Sequence, residues 1–138
     1  MKKILLLTLM FTGMAFSNVY AQSPQSVVLT FYENLQREQA VDFKGFSSER
    51  GQNLFVSAFS DGKPDIPSCT TCHTPSPTGT GKTRAGKIIE PMALSINNAR
   101  YTDTVKTEKW FRRNCKSVMG RECTPREKGD FLTFMMGQ

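Results

Sequence analysis

The sequence predicts an all-α fold in which helices and irregular loops surround a group they do not themselves supply. Three observations lead there. Strand-like alternation is nearly absent and no internal repeat or heptad run is found. Apolar residues recur at helical spacing behind recognisable caps. Residues 64–91 are rich in Pro, Gly, Thr and Ser, a composition that cannot build a packed core alone and so must wrap something.

Met1 to Ala21 open with Lys2 and Lys3, continue through an apolar run from Ile4 to Phe16, and end with Val19 and Ala21 at the −3 and −1 positions before Gln22. This is the pattern of a secretory signal peptide, with cleavage expected after Ala21. The apolar run is well short of the roughly 20 residues that span a bilayer, and no later segment is apolar enough, so no stable membrane insertion is expected. Residues 22–138 then form one small domain, whose limited core would be helped by a bound prosthetic group.

Within that domain, Ser23-Pro24 makes an N-cap and first-turn pair, with Val28, Phe31, Tyr32 and Leu35 on one helical face to about Arg37. A second helix begins near Ser47 or Ser48 and aligns Gly51, Leu54, Phe55, Ala58 and Phe59 before the turn signal Asp61-Gly62-Lys63-Pro64. A third is expected from about Thr104 to Arg113, with Glu108 and Arg112 at i, i+4 spacing. Thr124-Pro125-Arg126-Glu127 is a capping box with Pro in the first turn, followed by a buried face of Phe131, Leu132, Phe134 and Met135.

Removing Lys2 and Lys3 leaves 16 basic against 12 acidic residues, a mature net charge of +4. No dense Lys/Arg run is interleaved with aromatics, so the charge serves solubility and steering toward an acidic partner rather than nucleic-acid binding.

Cys69-Thr70-Thr71-Cys72-His73 is the C-x-x-C-H pattern of haem c attachment. The two-residue spacing lets both thiols reach adjacent vinyl groups while the next residue projects imidazole onto the iron. The fold expected is therefore a small class I-like cytochrome c fold with one covalent haem. A thioredoxin-like CxxC would sit near a βαβ pattern, which is missing. A zinc site from Cys69, Cys72, Cys115 and Cys123 has the wrong second spacing. Two ordinary disulfides would leave the loop from Thr74 to Ile89 with nothing to wrap and make His73 a coincidence.

His73 is the only histidine, so bis-histidine ligation and triads built on further histidines are excluded. The sixth position falls to Met, Lys, Asn, another weak ligand, or none. Met135 and Met136 lie in the C-terminal helix, where Met is more often core filler. Met92 is a candidate whose thioether would raise the potential and close the iron, as suits an electron carrier. Cys115 and Cys123 enclose Lys116 to Glu122, a short loop that an oxidising compartment would staple, and Asn114 stands at its base. The alternative for Asn114 is a polar cap on the helix expected to end there.

The chain resembles the SHP family, the oxygen-binding c-type cytochromes known as sphaeroides haem protein and its relatives. The likeness rests on Gly62-Lys63-Pro64-Asp65 leading into Pro67-Ser68-Cys69-Thr70-Thr71-Cys72-His73, on Thr83-Arg84-Ala85-Gly86-Lys87, and on Thr102-Asp103. It continues through Glu108-Lys109-Trp110-Phe111-Arg112-Arg113-Asn114-Cys115, Ser117-Val118-Met119-Gly120-Arg121 and Cys123-Thr124-Pro125-Arg126-Glu127-Lys128. It implies haem iron held by His73 and, when oxidised, by Asn114, a Cys115–Cys123 disulfide and a dihaem cytochrome c electron donor, in a protein whose export signal already points to the periplasm. Met92 stands where another apolar residue is expected, and residues 36–46 are more polar and irregular than the pattern; His/Met ligation in a plain electron-transfer cytochrome is the alternative.

A carboxamide is a weak ligand, weaker still for Fe(II), so reduction should release Asn114 and open the site to O2, NO or CO, with the freed amide as a hydrogen-bond donor. No catalytic residue is assigned; an oxygen- or NO-linked redox activity is the enzymatic role the resemblance leaves open. Arg84 and Lys87 are candidates to neutralise haem propionates, Trp110 to pack on the haem, and the Pro91 carbonyl to accept from His73 Nδ1. Gly51 and Phe55 fit a close crossing with the C-terminal helix at Phe131 and Phe134.

Overall fold

The computed structural model describes residues 21–138; the predicted export signal up to Tyr20 lies outside the described residues. Five helices and one tiny hairpin follow in order, so the all-α expectation holds. Helix α1 spans Pro24–Gln39, with the Ser23 hydroxyl accepting from the Ser26 amide and Pro24 in the first turn, where its missing N–H costs nothing. It buries Val28 and Tyr32, whereas Phe31 sits at the edge of the face, 37% exposed, with its ring edge-on to Tyr32.

Helix α2 spans Ser48–Val56 behind the Ser47 cap and crosses α5, Pro125–Met136. The predicted glycine contact is present: a Cβ on Gly51 would lie 2.0 Å from the Asp130 carbonyl oxygen and 2.9 Å from the Phe134 Cβ. Phe55, fully buried, meets Phe131 and Phe134 at ring separations of 6.2 and 6.0 Å. The buried Asp130 carboxylate locks the crossing, accepting from the Ser47 amide at 2.7 Å and from Arg50 Nε at 2.6 Å. Unlike the expectation, α2 stops at Val56, so Ala58 and Phe59 lie beyond its end. Phe59 is held instead by its own N–H, which donates to the Pro67 carbonyl at 2.8 Å.

Helix α4 spans Thr104–Met119, capped by Asp103, whose carboxylate accepts from the Lys106 amide at 2.6 Å. It runs past the predicted end at Arg113 because partners distant in sequence receive its last turn. The Lys63 amide donates to the Ser117 carbonyl at 2.7 Å. Gly120 then turns the chain at φ 70, where a Cβ would lie 2.1 Å from the Asp61 carbonyl oxygen. Lys116 to Met119 are therefore helix rather than loop. Glu108 pairs with the buried Lys128 of α5 at 2.8 and 3.0 Å, not with Arg112.

Helix α5 carries both halves of the capping box, and Arg121 adds two bonds to Glu127, at 2.8 and 2.7 Å. Its face of Phe131, Leu132, Phe134 and Met135 is buried with Val28, Tyr32, Phe55 and Met92; burial of each such large side chain stabilises by about 1.5–3 kcal/mol. A second cluster joins Cys115, Val118 and Met119 of α4 to Cys123, and Cys69, Ile66 and Phe59 pack against it. Between α2 and α4 the only regular structure among the described residues is a four-residue turn, α3 (Thr70–His73), and an antiparallel pair, β1 (Gly81–Lys82) with β2 (Ile88–Ile89).

Candidate functional site

The turn α3 carries the two thiols and the imidazole, and its neighbours hold it by backbone. Ser68, buried, accepts from the Thr70 amide at 3.2 Å and donates to the Phe55 carbonyl at 3.3 Å, tying the motif to the end of α2. The Ser68 amide in turn donates to Thr71 Oγ1 at 3.3 Å. From the other side β1 presses in: a Cβ on Gly81 would lie 2.3 Å from the Cys72 carbonyl oxygen and 3.0 Å from the His73 Cα. The turn ends at Thr74, whose φ of 64 is left-handed.

Cys69 and Cys72 are both free and half-buried, while Cys115 and Cys123 are joined in a disulfide with a Cα–Cα distance of 5.7 Å. That pairing takes Cys115 and Cys123 out of a four-cysteine zinc set, and Cys69 and Cys72 are not bridged to each other. Burial, the larger effect, and the nearby Cys72 push the Cys69 thiol up to about 11. Burial, reinforced by the Arg100 cation, pushes His73 down to about 4. The imidazole is therefore neutral at physiological pH, the form that ligates metal. Its Nδ1 is buried with no hydrogen-bond partner.

The Pro91 carbonyl, expected to serve that nitrogen, accepts instead from Arg100 Nε at 2.5 Å. Met92 is buried in the main core, its amide donating to the Pro77 carbonyl at 2.8 Å. Asn114 is exposed in the interior of α4. The helix does not end there, so Asn114 is not a cap. Next to it Cys115 is fixed by the disulfide, and Cys69 packs both against the cluster of Cys115, Val118, Met119 and Cys123 and against the main core. Trp110, one turn earlier, is 49% exposed rather than core, with the Arg113 guanidinium 5.7 Å from its ring centre.

Arg84 forms an ion pair with Asp65, and Lys87 is exposed on the turn joining the hairpin. Lys106, Lys109, Arg113 and Lys116 follow helical spacing along one exposed side of α4, beside Asn114. Sequence reading did not single out Ser68, Gly81 or Arg100. Each acts on a carbonyl or amide distant in sequence, which leaves no local pattern; a glycine just after the motif was the one available hint.

Two unbridged thiols and a neutral imidazole on one rigid turn, with the other cysteines already paired, form a donor set suited to a covalently attached haem. Comparison with known proteins agrees. Residues 41–135 match a family model described as a domain of unknown function, DUF1924. The chain is 53% identical over 91 residues to the cytochrome c-type protein SHP of Cereibacter sphaeroides, covering 66% of this chain and 70% of that protein. It is 30% identical over 106 residues to cytochrome c'' of Methylophilus methylotrophus, covering 76% and 74% respectively. Among solved structures, oxidised SHP, an oxygen-binding cytochrome c, superposes with a TM-score of 0.77 at 42% identity, over 86% of this chain and 100% of that one. Oxidised cytochrome c'' gives 0.71 at 28% identity, over 82% of this chain and 93% of that one.

Proposed function

The chain belongs to the SHP family of c-type cytochromes, and from that premise we propose that it is an exported, periplasmic monohaem cytochrome whose Asn114 ligand is exchanged for a diatomic gas. The haem, when bound, would supply a one-electron iron couple and an iron to which O2, NO or CO could bind. Cys69 and Cys72 hold it through thioethers, and His73, kept neutral by burial, presents the permanent ligand. Asn114 would be the second, weak ligand in the oxidised protein, and its amide N–H, once released on reduction, would be available to donate to a bound gas.

The observation that carries this reading is the contrast between Asn114 and Met92. Asn114 is exposed on a continuous helix, whereas Met92 is buried in one cluster with Val28, Tyr32 and Phe131. Cytochrome c'' has been studied in solution for the structural basis of haem-ligand detachment, and the same behaviour is proposed for Asn114 here. The basic side of α4 suits docking of an acidic redox partner beside the exchangeable ligand, such as a dihaem cytochrome c donor. Optical spectra of oxidised and reduced protein, with and without CO, test the proposal. Ready CO binding by the reduced form is expected; a weak charge-transfer band at the red end of the oxidised spectrum, given by a Met–iron bond, would reject it.

A further inference from the structure

Residues 22–138 carry a net charge of +4, and helix α4 accounts for all of it. Lys106, Lys109, Arg112, Arg113 and Lys116 stand against one acidic residue of the helix, Glu108, while the 11 basic and 11 acidic residues elsewhere in 22–138 cancel. The imbalance is sharper than the count, because Glu108 is already taken by the buried Lys128. All five α4 cations are exposed, and none forms an ion pair among the described residues, whose pairs belong to Arg37, Arg50, Arg84, Arg121 and Lys128. Asn114 lies inside this field. Trp110 and Asn114, four residues apart, share one edge of the helix, and Lys106 and Arg113, seven apart, form the row beside it. The Arg113 guanidinium is kept at that edge, 5.7 Å from the centre of the Trp110 ring.

We propose that α4 makes the exchangeable position selective for small inorganic anions of the size of azide or nitrite, drawn in by its unpaired cations in preference to neutral ligands. The inference rests on Asn114 being the exchangeable ligand. A surface of one sign raises the local concentration of the opposite charge, and with it the association rate, by about 10-fold to 1000-fold at low salt. Here the field has one source, since the rest of the domain is neutral on balance, and that source is the helix bearing the residue to be displaced. A neutral gas gains nothing from it. The charge therefore adds a second class of ligand, monoanions binding the oxidised protein in competition with Asn114, to the neutral gases of the reduced one.

The test is stopped-flow binding of azide, an anion, and pyridine, uncharged at the same neutral pH, to the oxidised, covalently loaded protein. Between about 0.01 M and 1 M salt, as the screening length falls from about 30 Å to about 3 Å, azide association should slow about tenfold and pyridine association less than about twofold. Lys106→Gln with Arg113→Gln should slow azide about threefold at low salt, and Lys44→Glu, which removes the same two units of charge from another segment, should slow it far less. The salt series on the unsubstituted protein serves on its own if the double variant fails to mature. Azide no more salt-sensitive than pyridine would overturn the proposal and leave the charge of α4 to a macromolecular partner alone. An equal loss in Lys44→Glu would overturn it by making net charge, not α4, the cause. If Asn114→Ala changes the rate of neither ligand, the assignment of Asn114 itself fails, and this inference with it.

Discussion

The two candidate ligands are mounted on opposite principles. His73 sits on a turn of four residues, too short to be stable alone, and is fixed by contacts of other segments with its backbone: Ser68 from one side, Gly81 from the other. Asn114 sits on a helix of 16 residues that is secured at its cap, its disulfide and its last turn, yet its own side chain is left exposed. A permanent ligand is served by fixing the backbone beneath it. An exchangeable one is served by a rigid mount and a free side chain, so that exchange needs rotation about side-chain bonds rather than movement of the chain.

Breaching the His73 cradle should have the largest effect. In Gly81→Ala the new Cβ would meet the Cys72 carbonyl at 2.3 Å, and that backbone cannot yield without moving the motif. A loss of about 3 kcal/mol or more is expected, with poor haem attachment, measured by chemical denaturation and by the haem-to-protein absorbance ratio. Wild-type stability and full attachment would mean that the cradle is looser than its geometry.

Removing the mount of Asn114 comes next. Cys115→Ala with Cys123→Ala opens a loop closed across a sequence separation of 8, for which chain entropy gives about 2–3 kcal/mol. Haem attachment should survive, because His73 and its neighbours are untouched. Intact-mass analysis and alkylation provide the matching control: the unsubstituted holoprotein should carry one haem and no free thiol, and two alkylatable thiols would remove the bridge from the comparison.

Asn114→Ala should leave stability and attachment nearly unchanged while strengthening the binding of cyanide or imidazole to the oxidised protein by roughly tenfold to a hundredfold. A tethered competitor at an effective concentration on the order of millimolar has then gone. Reduced protein should still bind CO, and Met92→Ala should leave the oxidised spectrum as it was. The opposite pattern would exchange the roles of the two residues.

The smallest effect concerns the capping of α5, which carries neither ligand. Hydrogen bonding to Arg121, first, and then to Thr124 holds the Glu127 carboxyl below the usual carboxylate range. A depressed folded-state pKa contributes stability above the unfolded value and loses it as the pH falls through the folded one. Glu127→Gln should therefore cost about 1 kcal/mol near neutrality, and the difference from wild type should fade in acid. A pH-independent difference would assign the effect to the neutral capping bonds alone.

How much of this was legible followed the range of the interactions. The start of α5 was fully readable, since Thr124, Pro125 and Glu127 act within one turn. The haem motif was readable for the same reason. The end of α4 was not: Arg112-Arg113-Asn114 reads as a polar terminus, and what extends the helix is a bond from Lys63 and a close approach to Asp61. The turn α3 and the hairpin lie inside a Pro/Gly-rich stretch and are too short for any periodicity to register. The ion pair of Arg84 with Asp65 spans 19 residues of sequence and leaves no local pattern to read. Arg100 offered no signal at all, because its partners are main-chain carbonyls that every sequence possesses.

The burial of Cys69 bears on how such a chain matures. Three of the four cysteines share one neighbourhood, since Cys69 packs against the cluster that contains Cys115 and Cys123. In an oxidising compartment that proximity invites wrong pairings, and thiol exchange proceeds only through the thiolate. A thiol pushed up to about 11 is almost never ionised at neutral pH. In the folded chain Cys69 is thus a poor attacking thiol toward the bridge beside it.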